Sequence, residues 1–162
     1  MSAAMPNAEI TPAEAVAATA CPLSAALEIM GERWAFLILR GAFNGVRHFE
    51  EFQGTLGIAR NILSNRLSRL VERGIMERRP HPEDRRKISY KLTDKGLALL
   101  PVLVALWQWG EQWEACGPSG IELVDRRDER PIAPVSLRAQ DGRELAVRDV
   151  KWMARVRLAD AA

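Results

Sequence analysis

Cysteine, histidine and tyrosine are scarce in this chain: two, two and one among 162 residues. The two cysteines, Cys21 and Cys116, stand far apart and without CxxC spacing, which excludes a disulfide framework and a cysteine-rich zinc site. His48 and His81 are the whole supply of imidazole ligands or bases. No nucleophile elbow, phosphate loop or metal-ligand cluster occurs, so neither an enzyme nor a cofactor or metal site is expected. Glu50-Glu51 reads as a solvated pair on a helix, not a catalytic dyad. Long apolar runs are also missing, and no basic segment precedes an apolar block near the N-terminus. Neither a membrane span nor a secretory signal is expected, and the protein should be cytosolic.

What remains is the composition of a soluble domain, 27% charged and 48% hydrophobic, enough for one globular unit with an appendage. The net charge is only +2, but it is unevenly spread. Residues 60–95 hold 11 Lys/Arg against 5 Asp/Glu, while the rest of the chain holds 12 against 16. One contiguous stretch therefore carries the basic charge, as a polyanion-binding face requires.

Residues 1–20 are Ala-rich, carry two prolines and lack a sustained helical stripe, so they read as a loosely ordered arm. Pro22 suits a first helical position; Leu23, Ala26, Leu27 and Met30 share a face, and Gly31 supplies a stop. A second helix carries Trp34, Leu37, Ile38 and Leu39 and ends at Asn44-Gly45. A short third spans 48–55, with Phe49, Phe52 and Leu56 on one side. Gly57 and Ile58 form a tight turn before a fourth helix over 59–73, whose apolar stripe is Ile62, Leu63, Leu67, Leu70 and Val71 and whose stop is Gly74. Two helices joined by a short Gly-containing turn follow the helix-turn-helix plan. Residues 75–79 and 87–92 read as strands flanking a proline-stiffened tip.

Thr93 should cap a last long helix running to about Ala115, with Pro101 kinking or dividing it. Two apolar stripes coexist on that helix, one of Leu100, Leu103, Trp107 and Gly110, the other of Val102, Leu106, Trp109 and Trp113. One can pack on its own domain; the other asks for a second subunit. Beyond it, 121–124, 132–137 and 145–147 are β-like, with Asp141-Gly142 as a turn signal. The expected architecture is mainly α with a β-hairpin wing (α+β). It comprises an arm over 1–20, a winged helix-turn-helix over 21–116 and a small strand-rich extension over 117–162.

Removing the apolar stripe from the fourth helix leaves Arg60, Asn61, Ser64, Asn65, Ser68 and Arg69 outward and Arg66 at the margin, with no acidic residue until Glu72. Arg can pair bidentately with guanine, Asn with adenine, and Ser with bases or phosphates. Alone, such a face is what most helices show to water. After a short helix and a Gly turn, and before a basic hairpin, it reads as a recognition helix for the major groove of double-stranded DNA. Arg85, Arg86 and Lys87 at the hairpin tip, with Arg78 and Arg79 across the ladder, would hold phosphates or enter a narrow minor groove. Glu83 and Asp84 oppose that field unless Asp84 pairs with a neighbouring arginine. The competing reading, a winged-helix protein-interaction module without specific DNA binding, should lack both the Arg/Asn/Ser set and the basic wing. Trp107, Trp109 and Trp113 are open to two roles, an interface or the lining of an effector pocket, and helical spacing favours the first.

The stretch 21–113 resembles the HxlR-type winged-helix transcriptional regulators of bacteria, related to the MarR type. The resemblance rests on Cys21-Pro22, Gly31 with Trp34, Phe49 with Glu51, Leu56-Gly57-Ile58, and Tyr90, Leu92 and Thr93 with Gly96, in matching order and spacing. It implies a homodimer assembled through the first and last helices, which places Leu103, Leu106, Trp107, Trp109, Gly110 and Trp113 at the interface. It also implies recognition of an inverted-repeat operator by residues 59–73, with wing contacts near Arg85. The expected function is a dimeric repressor, responsive to an oxidant or a small molecule. In some relatives a cysteine just before this proline senses oxidants or electrophiles, so Cys21 is a candidate redox sensor; a helix N-terminus would lower its pKa. The other reading of Cys21 is a small packed hydrophobe. Three departures stand out. Ala59 replaces a frequent capping Ser, His48 stands where Arg is frequent, and 124–150 lacks the cysteines of a metal-binding tail.

Overall fold

A computed structural model describes residues 7–9, 11, 13, 21–80, 84, 87–114 and 120–155. In chain order the elements are β1 (Asn7–Glu9), α1 (Pro22–Met30), α2 (Arg33–Phe43), α3 (Phe49–Leu56), α4 (Arg60–Glu72), β2 (Met76–Pro80), β3 (Ile88–Leu92), α5 (Asp94–Leu97), α6 (Leu100–Trp113), a 3₁₀ turn (Val147–Asp149) and β4 (Met153–Arg155). The helical core and two-stranded wing are those of a winged helix-turn-helix. Among the described residues no helix is long and apolar enough to cross a membrane.

The periodic apolar positions of three helices make the core. Ile38 and Leu39 of α2, Phe52 of α3 and Leu63, Leu67 and Leu70 of α4 are buried together with Met76 at the start of the wing. Each such side chain contributes about 1.5–3 kcal/mol relative to exposure. Ile62, expected in the stripe of α4, is 36% exposed instead. At 100° per residue it lies on the flank of the helix, away from the Leu63–Leu67–Leu70 line.

Gly57 has φ +60° and its N–H bonds the Gln53 carbonyl at 3.0 Å, so α3 ends in a left-handed cap. Only residues 57–59 then separate α3 from α4. Ile58, within that turn, is buried and pins it to the core.

The wing pairs antiparallel, with Met76 opposite Leu92, Arg78 opposite Tyr90 and Pro80 opposite Ile88. Its root is closed by Thr93, whose N–H donates to the Ile75 carbonyl at 3.1 Å and whose hydroxyl donates to the Gly74 carbonyl at 2.6 Å. The same hydroxyl accepts the Gly96 N–H at 3.2 Å and so caps α5. Pro101 divides the expected last helix: α5 stops at Leu97, and α6 begins with Pro101 in its first turn, where its missing N–H is harmless. On α6, Val104 is buried and Leu103, Trp107 and Gly110 are half-buried, whereas Val102, Leu106, Trp109 and Trp113 are exposed.

The chain divides into two compact units, Ala26–Val135 and a second made of Met1–Ala25 with Ser136–Ala162. Two sets of contacts, one within each, hold these units together. The Gln108 side chain of α6 bonds the backbone of Ala133 and Val135, at 3.3 and 2.8 Å, which holds the segment up to 135 to the winged unit. In the other unit β1 pairs antiparallel with β4, Asn7 opposite Arg155, so the arm contributes a strand where none was expected.

The C-terminal segment, read as a strand-rich extension over 117–162, is described from residue 120 to 155. Its β-like segments form two narrow hairpins held by single bridges, Val124 with Pro131 and Arg138 with Glu144, and β4 is its one strand among the described residues. Asp141-Gly142 does turn the second hairpin, Gly142 having φ +86°. Alternating apolar residues are present, but turns intervene before a ladder can extend.

Candidate nucleic-acid interface

Because Leu63, Leu67 and Leu70 anchor α4, its opposite face is fixed outward. Asn61, Ser64, Asn65 and Ser68 lie there, exposed, within two turns of helix. Arg60, in the first turn, is also exposed, and its guanidinium lies 4.8 Å from the centroid of the Phe49 ring of α3. That stacking directs its charge toward the wing. Ala59, the residue preceding α4, has no side-chain bond to the helix amides.

Arg66 and Arg69 do not share this outward face. Both pair with Glu32, just before α2, Arg69 at 3.3 Å, and Arg69 also donates to the Glu28 carbonyl at 3.2 Å. Arg69 was expected among the outward DNA-facing residues; its guanidinium is instead turned along the flank of α4 to the end of α1. Glu32 was not singled out in the sequence, since an ion pair between distant segments leaves no periodic trace.

Between the start of α4 and the wing lies an open cleft of about 560 Å³, lined by His48, Phe49, Glu50, Arg60, Lys87, Ile88 and Tyr90. It brings together Arg60 and Lys87, 27 positions apart in the chain. His48 fixes its geometry: Nδ1 is 2.9 Å from the Ile88 carbonyl, which can only accept, so Nδ1 carries the proton. Tyr90 N–H donates to the Arg47 carbonyl at 2.8 Å, adding a second tie between the wing and the segment before α3. Of the other wing cations, Arg78 is exposed, and Arg79 is exposed with its guanidinium 2.6 Å from Glu77. Arg85 and Arg86 lie outside the described residues, as does Cys116.

This arrangement has the parts of a DNA-reading surface: an amide and hydroxyl face on a rigid helix, flanked by cations on a hairpin. The model of the HxlR-like helix-turn-helix family matches residues 29–117. The chain belongs to this family. It therefore carries the helix-turn-helix domain of that family.

Over 88 residues, 54% of its length, this HxlR-like chain is 48% identical to an HTH-type transcriptional regulator of Mycobacterium tuberculosis, and it spans only 56% of that relative. It is 35% identical over 102 residues to the HTH-type transcriptional regulator YodB of Bacillus subtilis, covering 62% of this chain and 89% of YodB. Among solved structures, PA1607, a candidate transcription factor, matches with TM-score 0.78 and 43% identity over 83% of this chain and 95% of its own. That likeness runs well beyond residues 29–117. YodB in its reduced form matches with TM-score 0.53 and 33% identity over 60% of this chain and 98% of its own, and YodB has also been solved with quinone bound.

In the HxlR-like chain Cys21 directly precedes α1 and is half-buried. The Ser24 and Leu23 backbone N–H groups, with the Ser24 hydroxyl, favour its thiolate and lower its pKa below the ordinary thiol value. Glu51 is more than a solvated acid. Its carboxylate accepts the N–H groups of Arg47 and His48, both at 3.0 Å, closing the start of α3. Those bonds hold its pKa below the usual carboxylate value. The spacing of His48 and Glu51, three apart at a helix start, is the signal that could have found it.

Proposed function

We propose that this chain is a dimeric repressor that occupies an inverted-repeat operator. Asn61, Ser64, Asn65 and Ser68 of α4 face base edges in the major groove, and Arg60, Arg78, Arg79, Arg85, Arg86 and Lys87 hold phosphates beside it. The observation that carries this reading is the outward face of α4. It is free of acidic side chains from Arg60 through Val71 and adjoins a cleft into which the wing brings Lys87. The interaction-module alternative predicts neither. The uncovered stripe of Leu106, Trp109 and Trp113 supports dimerisation, since exposed apolar patches of this kind mark interfaces. Two symmetric subunits then present two copies of α4 to two half-sites. Cys21, with its favoured thiolate, is the proposed oxidant-sensing group, in keeping with the solution of YodB in reduced and quinone-bound forms.

The test titrates wild type, Asn65→Ala and Lys87→Ala against the upstream region of the protein's own gene and a random duplex, at several salt concentrations. Asn65→Ala should narrow the difference between the two duplexes by about 1–3 kcal/mol per lost bidentate contact, with little change on random DNA. Lys87→Ala should weaken both duplexes and reduce the salt slope by about 0.9 per lost phosphate contact. Equal weakening by both variants with an unchanged salt slope would count against this docking and favour the interaction module.

A further inference from the structure

Within the winged unit, a groove of about 560 Å³ lies between α2, α6 and the hairpin that follows residue 120. The DNA-facing surface makes no use of it. Phe36 of α2, Leu103 and Trp107 of α6, and Leu123 of the hairpin supply apolar walls. Arg40, Arg126 and Glu122 line it as well. Neither guanidinium has a hydrogen-bond or ion-pair partner among the described residues; the Arg40 carbonyl, by contrast, accepts from the Asn44 side chain at 2.8 Å.

We propose that this groove is a binding site for a small hydrophobic monocarboxylate, with its ring or chain against Phe36, Leu103 and Trp107 and its carboxylate held by Arg40 and Arg126. Three features select that class. The volume lies within the range of small-molecule sites, about 300–1,000 Å³, and the walls are mostly apolar, as such sites require. Unpaired guanidiniums at the edge of an apolar hollow match a carboxylate in charge and fork geometry. Glu122 repels a second negative charge, so a single carboxylate fits better than a diacid. A second copy of the chain is the weaker occupant: of the exposed stripe of Leu106, Trp109 and Trp113, Leu106 reaches the groove, while Trp109 and Trp113 lie outside its lining. No residue of α4 lines this site, and the proposal does not rest on the operator reading.

Isothermal titration calorimetry on the full chain, without DNA, uses benzoate, naphthoate and decanoate as probes, with the alcohol analogue of each as a neutral control. At least one acid should bind saturably, once per chain, and about tenfold tighter than its alcohol. Arg40→Gln combined with Arg126→Gln should remove that preference while the thermal midpoint stays near wild type, since both side chains are exposed. Leu103→Trp, which fills the groove, should weaken acid and alcohol together. The proposal fails if no acid binds saturably up to millimolar concentration, or if acid and alcohol bind equally in wild type. It also fails if the acid binds only to a variant made monomeric through Trp109→Glu, since the groove would then belong to the subunit interface. Operator binding is absent from every arm, so its loss or retention does not bear on the result.

Discussion

Replacing Gly96 by Ala should loosen the joint between the wing and the last helices. An ideal Cβ at this position falls 2.2 Å from the Ile75 carbonyl oxygen, 3.2 Å from its carbon and 3.1 Å from Leu92 Cδ2. Carbon and carbonyl oxygen normally meet at about 3.3–3.6 Å, so α5 and the wing root must part by roughly 1 Å. The oxygen is not free to retreat, because it accepts the Thr93 N–H at 3.1 Å. Overpacking costs about 1–3 kcal/mol, and a strained or lost hydrogen bond about 1 kcal/mol more. Against this, Ala regains about 1 kcal/mol of helix propensity. The net loss is therefore about 1–3 kcal/mol, a fall in Tm of roughly 3–10 °C for a domain of this size. Gly54→Ala is the matched control. It lies in α3 with nothing within 4 Å of an added Cβ, and it should stabilise by about 0.5–1 kcal/mol. Calorimetric melts of the three proteins decide the matter. A Gly96→Ala midpoint at or above wild type would show that the close approach does not exist.

Glu32→Gln leaves Arg66, whose side chain is only 18% exposed, without its counter-charge, and should cost about 1–2 kcal/mol by urea unfolding, between the exposed-pair and buried-pair limits; an unchanged midpoint would refute the clamp. The folded pKa of Glu51 is depressed, so its contribution is present above the unfolded pKa and is lost as pH falls through the folded one. The stability gap between wild type and Glu51→Gln should thus narrow as pH falls below the ordinary carboxylate range, and a constant gap would refute the capping role. Trp109→Glu places a charge in the exposed stripe of α6, and light scattering at micromolar concentration should show a dimer for wild type and a monomer for the variant. Cys21 should be alkylated faster than a reference thiol near neutral pH, and its oxidation should loosen operator binding; slow labelling would leave it a packing residue.

Much of the winged unit was legible because its helices bury one stripe each. Leu63, Leu67 and Leu70 marked α4, Gly57 its preceding turn, Thr93 the start of α5 and Pro101 the break before α6. The interactions that escaped the sequence join segments distant in the chain. Glu32 gathers Arg66 and Arg69 away from the outward face, Gln108 fastens residues 133–135, and β1 finds β4 almost the whole chain away. The C-terminal segment was less legible for another reason. Period-two alternation measures the wish to be half-buried, and over three or four residues it suits a bridged hairpin as well as a strand.

The start of α4 has a consequence for how stability and DNA occupancy are linked. With Ala59 in front of it, the first amides of that helix have no side-chain acceptor. A phosphate oxygen placed there would complete them, the helix dipole adding to the hydrogen bonds. If α4 docks as proposed, the nucleic acid would serve as the missing cap, and the first turn of α4 would gain order when the backbone of the duplex is gripped. Amide hydrogen exchange at Asn61 and Ile62 should slow on operator binding by more than at Leu70, which the core already protects. Introducing Ser at position 59 would order that turn in advance and shrink the difference.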